Sequence, residues 1–201
     1  YKLNKNASSS KILFATSLGG ELASVKLESM LAIALQFNDY ECEFLLCDGI
    51  LPACQLCTYA GFNDHVGQFV KEGPQKLFCP SCYKDASKAI ESLGFGLHTY
   101  SQHLNEKDIE KIKSTLEKTS FDSIPDYCLD DVPVGEHALA GALRFMTRST
   151  ITQDKQGKDV LQRYFEAALL TAYVIKNILN SNNIRCVVVN HGIYVPHGVT
   201  V

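Results

Sequence analysis

Several features of other protein classes are missing from this sequence, and each absence narrows the possible functions. No run of eighteen or more apolar residues occurs, so the sequence predicts no membrane-spanning helix. The first ten residues are polar and lack the apolar core of a secretory signal, which makes a cytoplasmic location the default expectation. Lysine and arginine form no long cluster and the formal net charge is −3, so nucleic acid is a poor candidate partner.

The composition that remains is typical of a folded globular protein, with 46% apolar and 20% charged residues. We expect residues 1–10 to be a flexible lead-in and residues 11–201 to form one domain with an insertion. The chain has no initiator methionine and stops soon after a predicted strand. We therefore expect it to be the N-terminal half of a longer protein, and its oligomeric state is left open.

Short apolar segments alternate with helical patterns along the chain. Residues 11–16 and 42–47 are predicted to be buried strands, and the helix between them carries Leu27, Met30, Leu31 and Ala34 at helical spacing. A strand, a helix and a strand in so short a stretch form a βαβ unit, which indicates an α/β fold with a parallel sheet flanked by helices. Further helices are predicted at 80–93, 105–118, 134–147 and 159–179, a short strand at 97–100, and a buried strand at 186–190.

Two CxxC pairs, Cys54 with Cys57 and Cys79 with Cys82, are separated by 21 residues. A CxxC turn directs two sulfurs at one point, and two such turns can enclose Zn²⁺ with bonds of about 2.3 Å. The spacing is close to that of known four-cysteine sites. Four sulfurs leave no open position, so the sequence predicts a structural zinc ion that pins an insert of about residues 51–83.

Other interpretations of the cysteines stay open. One alternative is that the four cysteines are unrelated buried residues that have this spacing by chance. Another is that the CPSC segment alone is a thiol redox motif at a helix N-terminus, which it resembles. Cys47 brings a fifth thiol within reach, which is compatible with an iron–sulfur cluster. The remaining three, Cys42, Cys128 and Cys186, are expected to pack in the core.

The glycine pair Gly19 and Gly20 joins the first predicted strand to the first helix. Glycines there allow the backbone and the helix N-terminus to approach an anion, or they form a tight turn with no ligand. Glu136 and His137 begin a later helix. Glu136 complements the helix dipole there, which by itself explains its position, while His137 is a further candidate functional residue.

The loop HGIYVPHG, residues 191–198, directly follows a predicted strand. In open α/β sheets, ligands bind beyond the carboxyl ends of the strands. His191, Tyr194 and His197 are therefore candidates to hydrogen-bond a hydroxylated ligand or to act as acid and base. The alternative is a turn in which the histidines cap the loop.

Taken in order, the segments CDG, CQLC, CPSC, SLGFGLHTYS, VPVGEHALAGALRF and VVVNHGIYVPHG resemble one group of bacterial proteins. These are large glycosyltransferase-like proteins of surface and capsular polysaccharide gene clusters. The similarity spans residues 11–198, and its most specific parts are the paired CxxC and HGIYVPHG. It implies the N-terminal half of a GT-B-like enzyme, in which two Rossmann-like domains face each other across a cleft.

The resemblance also assigns roles. Gly19 and Gly20 would line the cleft, and His191 and His197 would face it, one of them taking the proton of an acceptor hydroxyl. His137 is a third catalytic candidate. The remaining substrate-binding candidates are Glu136 and Tyr194.

The partners implied are a nucleotide sugar as donor and a glycan or lipid-linked acceptor, with zinc as a structural cofactor and no catalytic metal. The nucleotide-sugar domain is missing from these residues, so we expect this chain alone to be inactive. Two other functions remain open: a non-catalytic, zinc-stabilised binding or scaffolding domain, and an iron–sulfur or thiol redox protein.

Overall fold

A computed structural model of the chain describes residues 11–62 and 64–201, and the predicted lead-in lies outside these ranges. Strands and helices alternate through this part of the chain. In chain order they are β1 (Lys11–Ser17), α1 (Leu22–Gln36), β2 (Glu41–Leu46), α2 (His65–Glu72), α3 (Cys79–Ser92), β3 (Gly96–Thr99), α4 (Glu106–Lys118), α5 (Val134–Met146), α6 (Lys155–Ser181), β4 (Ile184–Val188) and α7 (His197–Thr200).

The four strands form one sheet in the order β3-β2-β1-β4, and every neighbouring pair is parallel. The chain moves outward from β1 to β2 and β3, then returns to the other side of β1 to form β4. This is the order of the first four strands of a Rossmann fold. The prediction of a Rossmann-like parallel α/β sheet flanked by helices is confirmed.

Each face of the sheet carries its own apolar cluster because side chains alternate along a strand. Leu13 of β1 packs in a large cluster with residues of α5 and α6, whereas Phe14 packs with α1 and α3 on the opposite face. Phe14 also stacks on Phe44, with ring centroids 5.0 Å apart. Although α6 is 27 residues long, no helix in the described ranges is long and apolar enough to cross a membrane.

Helix α2 lies inside the segment 51–78, where the sequence pattern predicts no regular structure. It buries Val66 and Phe69, and the Phe69 ring stacks on Phe145 with centroids 4.1 Å apart. An isolated helix of this length is unstable in water, so tertiary packing supplies most of its stability. That packing is the reason the local pattern does not reveal it.

Helix α1 buries a different face from the one that its apolar spacing favours. Leu27, Met30 and Leu31 are 69%, 68% and 44% exposed. The buried residues are Val25, Glu28, Ser29 and Ala32. Both faces of α1 contain apolar residues, so periodicity alone does not choose between them, and the small side chains allow the helix to approach the sheet closely.

Strand β4 is an edge strand, and the prediction that it is buried is wrong. Within the described residues it pairs with β1 only, and Arg185 and Cys186 are exposed. Cys128 is exposed as well, so only Cys42 of the three expected core cysteines is buried. Branched residues indicate a strand, but the position of the strand in the sheet depends on tertiary structure.

Candidate functional site

The loops that follow β1 and β4 meet at the carboxyl edge of the sheet. The buried side chain of His197 connects them, because its Nε2 donates a hydrogen bond to the carbonyl oxygen of Thr16 at 2.8 Å. The strand order reverses between β1 and β4, so this is the topological switch point of the sheet. Open α/β sheets bind ligands at such a point.

His191 and His197 form a hydrogen-bonded pair, with His197 Nδ1 3.2 Å from His191 Nε2. The other partners of the rings assign the neutral tautomers. His197 donates from Nε2 to Thr16, so its Nδ1 accepts. The backbone N–H of Ile193 donates to His191 Nδ1 at 3.2 Å, so the proton of neutral His191 lies on Nε2.

A carboxamide links His191 to a carboxylate. The one N–H of neutral His191, on Nε2, is shared between His197 Nδ1 and the side-chain oxygen of Gln55, and the side-chain nitrogen of Gln55 donates to Glu21. Glu21 also accepts from Asn190 Nδ2 at 2.9 Å, which connects the start of α1 to the loop after β4. The network therefore runs from Glu21 through Gln55 and His191 to His197, and its negative charge lies at Glu21.

Burial keeps both imidazoles in their neutral form. Burial is the main cause that lowers the pKa of His191, with Glu21 opposing and Arg144 reinforcing the effect. Burial likewise lowers the pKa of His197, against the opposing hydrogen bond to Thr16. An imidazole with a lowered pKa is unprotonated near neutral pH, which is the state that a general base requires.

Glu28 is a second carboxylate next to this network. Its Oε2 accepts from the Thr16 hydroxyl at 2.5 Å, while its other oxygen is buried with no hydrogen-bond partner among the described residues. Burial raises the pKa of Glu28. Thr16 thus contacts Glu28 through its side-chain hydroxyl and His197 through its backbone carbonyl. The buried carboxyl group of Glu28 is therefore linked to the histidine pair through this one residue.

The CQLC turn is bound directly to the HGIYVPHG loop. The backbone N–H of Gln55 donates to the carbonyl of Val195 at 2.9 Å. Arg144 donates to the carbonyl of Gln55 at 2.6 Å, and its guanidinium lies 5.3 Å from the centre of the Tyr194 ring. The two most specific segments of the sequence therefore meet at one site.

His137 holds the same loop from α5, because its Nδ1 donates to the carbonyl of Ile193 at 2.9 Å. Gly198 lies so close that a Cβ there would be 2.5 Å from His137 Nδ1. Glu136 is exposed in the first turn of α5. His137 thus has a structural contact with the loop at 191–198, and its role as a functional residue stays a prediction.

Gly19 and Gly20 pack against the start of α3. A Cβ on Gly19 would overlap the carbonyl oxygen of Cys82, and one on Gly20 would lie 2.8 Å from Leu56 Cδ1. The N–H of Gly20 donates to the sulfur of Cys82 at 3.0 Å. Close approach of the loop to α3 therefore explains both glycines, and the N–H group that an anion would use already has a partner.

Four thiols line one cavity of about 20 Å³, which is otherwise enclosed mainly by apolar side chains. They belong to Cys47, Cys54, Cys79 and Cys82. Cys57 is fully buried, and its sulfur is 3.9 Å from that of Cys54. All eight cysteines are free thiols.

The predicted zinc ligands are thus close in space but do not form a metal centre as their side chains stand. In the part of the chain that the structure describes, no group of three or more His, Cys, Asp or Glu side chains is arranged to hold an ion. Zinc binding by Cys54, Cys57, Cys79 and Cys82 therefore remains a prediction.

Sequence reasoning missed four polar residues of the site: Glu21, Gln55, Glu28 and Asn190. One signal for Gln55 is its position between the two cysteines of the CQLC turn. The signal for Glu28 is an acidic residue two turns after Glu21 on an otherwise apolar helix, since residues seven apart share a helix face. Neither signal indicates which loop the side chain meets.

The chain matches no protein-family model and no curated protein. It is similar to the crystal structure of a cyclo(L-leucyl-L-phenylalanyl) synthase, with 11% identity and a TM-score of 0.43. The match covers 96% of this chain and 81% of that one. A likeness at this score carries no weight for function, so only the residues of the site can support a functional assignment.

Proposed function

We propose that this chain is the acceptor-binding domain of a cytoplasmic GT-B-like glycosyltransferase of surface polysaccharide synthesis. In this proposal, His191 takes the proton from an acceptor hydroxyl. The observation that carries the proposal is the network of Glu21, Gln55, His191 and His197 at the switch point of the sheet. The donor nucleotide sugar would bind to a second domain, as the sequence resemblance implies.

The hydrogen bonds indicate which atom acts as the base. His191 Nε2 carries the proton in the neutral ring, so Nδ1 is the basic atom, and its present donor, the Ile193 N–H, lies at a long 3.2 Å. An acceptor hydroxyl would take that place and transfer its proton to Nδ1 as the oxygen attacks the donor sugar, whose bond to the diphosphate oxygen breaks and releases the nucleoside diphosphate. Positive charge on the ring is then stabilised through the Gln55 carboxamide by Glu21, as in other base–orienter arrangements.

His197 acts by positioning His191. It is only 1% exposed, and both of its ring nitrogens have hydrogen-bond partners inside the protein. A group so enclosed does not reach a substrate, but it fixes the orientation of the neighbouring ring. We therefore assign proton transfer to His191 alone.

The converging groups favour a neutral, hydroxylated ligand. They are a carboxylate, two carboxamides, the Ser24 hydroxyl and two neutral imidazoles, which already exchange hydrogen bonds among themselves. Such groups can both donate to and accept from sugar hydroxyls. The carboxylate of Glu21 would repel a phosphate at the same place.

The proposal is tested by NMR titration of the purified chain with methyl glycosides of glucose, galactose and N-acetylglucosamine, and with inorganic phosphate. We expect at least one glycoside to shift the signals of Gln55 and of the loop at 190–197, while phosphate leaves them unchanged. His191→Asn should weaken that response, and His98→Asn, far along the sheet in β3, should preserve it. If no glycoside shifts these signals, the acceptor assignment is wrong.

A non-catalytic binding or scaffolding domain is the second candidate. The observation that favours it is the role of His137, which holds the loop at 191–198 through the Ile193 carbonyl and so stabilises it without a substrate. Glycoside binding by the chain, together with no sugar transfer by the full-length protein, would favour this function over catalysis.

A further inference from the structure

The thiol cavity is built from three separate segments of the chain. Cys47 follows β2, Cys54 begins the CQLC turn, and Cys79 and Cys82 lie in the first turn of α3. The four groups also interact electrostatically. Burial is the largest cause that raises the pKa of Cys79, and the charges of the other three thiols raise it further. This four-thiol set includes Cys47 and differs from the two CxxC pairs by that one residue.

One of these sulfurs already accepts a backbone hydrogen bond, because Cys82 Sγ takes the N–H of Gly20 at 3.0 Å. A donated N–H group stabilises the negative charge of a thiolate, which is the form that binds metals.

The size and lining of the cavity select the occupant. A volume of about 20 Å³ holds one water-sized particle, which is enough for one ion. The other lining residues are Leu18, Leu51, Leu56, Pro74 and Phe78. They offer a water molecule few partners, whereas four thiolates are a soft ligand set that suits Zn²⁺.

Cys57 lies on the other side of the CQLC turn. It is fully buried and close enough to Tyr164 and Arg163 to influence them electrostatically. It also does not line the cavity, although its sulfur is 3.9 Å from that of Cys54. Cys57 is therefore the one member of the two CxxC pairs that lies outside the cavity lining.

We propose that Cys47, Cys54, Cys79 and Cys82 hold one zinc ion, with Cys47 in the place that sequence spacing assigns to Cys57. As they stand, the side chains do not form a metal centre, so zinc binding requires the cysteines to turn toward the centre of the cavity by changing χ1 rotamer. The ion replaces the thiol protons, which pass to solvent. This inference is independent of the proposed sugar transfer.

Zinc at this position would also secure two neighbouring members of the network, Glu21 and Gln55. Cys54 immediately precedes Gln55, and Cys82 holds Gly20, which immediately precedes Glu21. Removal of the ion with a chelator should therefore shift the NMR signals of Gln55 and of the His191 ring. The His98 ring, which is hydrogen-bonded to Glu43 on β2, should stay unchanged.

The ligand set is tested by metal analysis of the purified chain and of the matched variants Cys47→Ser and Cys57→Ser, each checked for folding by circular dichroism. We expect one zinc per chain in the wild type and in Cys57→Ser, and loss of zinc in Cys47→Ser. X-ray absorption of Cys57→Ser should show four sulfur ligands, and this measurement decides the question even if Cys47→Ser does not fold.

Three results would overturn the inference. Loss of zinc in Cys57→Ser with retention in Cys47→Ser would restore the ligand set of the two CxxC pairs. A wild-type chain without metal would exclude a zinc site altogether. Bound iron with visible absorption would replace zinc by an iron–sulfur cluster.

Discussion

Residues 11–62 and 64–201 contain two pairs of hydrogen-bonded histidines, and the two pairs are connected to their carboxylates in different ways. In the pair beside β3, His98 and His103 have ring nitrogens 3.0 Å apart. His98 bonds Glu43 directly at 3.1 Å, and Glu43 also accepts from Lys11 at 2.6 Å. In the pair at the switch point, the side chain of Gln55 stands between His191 and its carboxylate.

This difference separates a histidine in direct contact with a carboxylate from one that reaches its carboxylate through a carboxamide. A carboxylate in direct contact with an imidazole stabilises its protonated form, whereas a carboxamide transmits only a dipole. His191 therefore keeps a lowered pKa, caused mainly by burial, although Glu21 is near. One intervening amide is thus enough to leave a histidine neutral and still oriented.

The largest expected effect is on catalysis by the full-length protein. His191→Asn retains an oxygen near the Ile193 N–H but has no basic nitrogen, so kcat/KM for sugar transfer should fall by ~100-fold or more. His98→Asn is the matched control and should leave the rate unchanged. The measurement is the initial rate of nucleoside diphosphate release, and equal rates for the two variants would contradict the assignment of His191.

The next effect concerns stability and tests the pair beside β3. Burial opposes ionisation of Glu43, but hydrogen bonds from Lys11 and His98 outweigh it and lower its pKa below the ordinary value of 4.5. Glu43→Gln should reduce the free energy of unfolding near neutral pH by about 1–2 kcal/mol, measured with urea.

The sign of that effect follows from linkage. A carboxyl group with a lowered folded pKa adds stability above its unfolded pKa, and this stability is lost as the pH falls through the folded pKa. The difference between wild type and Glu43→Gln should therefore shrink below pH 4.5. A constant difference at all pH values would show that the ion pair is not its source.

The third prediction concerns a variant in which the histidine pair at the switch point has a direct carboxylate contact, as the pair beside β3 has. Gln55→Glu places a carboxylate directly beside His191, as Glu43 stands beside His98, and should raise the pKa of His191 by about one unit, or about 1.4 kcal/mol. NMR titration of the imidazole signals measures this change, with His98 in the same spectrum as the internal control. An unchanged His191 titration would mean that Gln55 is not its partner in solution.

The smallest expected effect is the acid sensitivity due to His197. Burial keeps the pKa of His197 in the folded chain below its ordinary value of 6.5. As the pH falls below 6.5, the unfolded chain therefore binds a proton at this ring that the folded chain does not bind. Stability due to the neutral ring is thus present above pH 6.5 and declines as the pH falls toward the folded pKa.

Thermal unfolding at a series of pH values measures this decline. His197→Gln retains an N–H donor for the Thr16 carbonyl but does not titrate, so its Tm should fall by a few degrees less than that of the wild type on mild acidification. His103→Gln is the comparison, because burial and His98 also lower the pKa of His103. Parallel curves for wild type and His197→Gln would contradict the prediction.

Much of the secondary structure was predictable because it depends on local patterns. The βαβ unit, the helices near α3 to α6 and the strand before Asn190 all follow from apolar spacing and turn residues. The location of His191 and His197 at the carboxyl edge also follows, since every parallel strand presents its end there. The less predictable features were which face of α1 is buried and the position of β4 at the edge of the sheet. Both depend on which residues the neighbouring elements cover.

The candidate site shows the same division. The sequence by itself determined the residue types: a thiol-rich insert, a histidine loop after a strand, and a parallel sheet to carry them. Only the tertiary structure decided that Gln55 meets His191 and that Cys47 lines the thiol cavity with Cys54. No local periodicity encodes these contacts, and the one between Gln55 and His191 also depends on the crossover that places β4 beside β1.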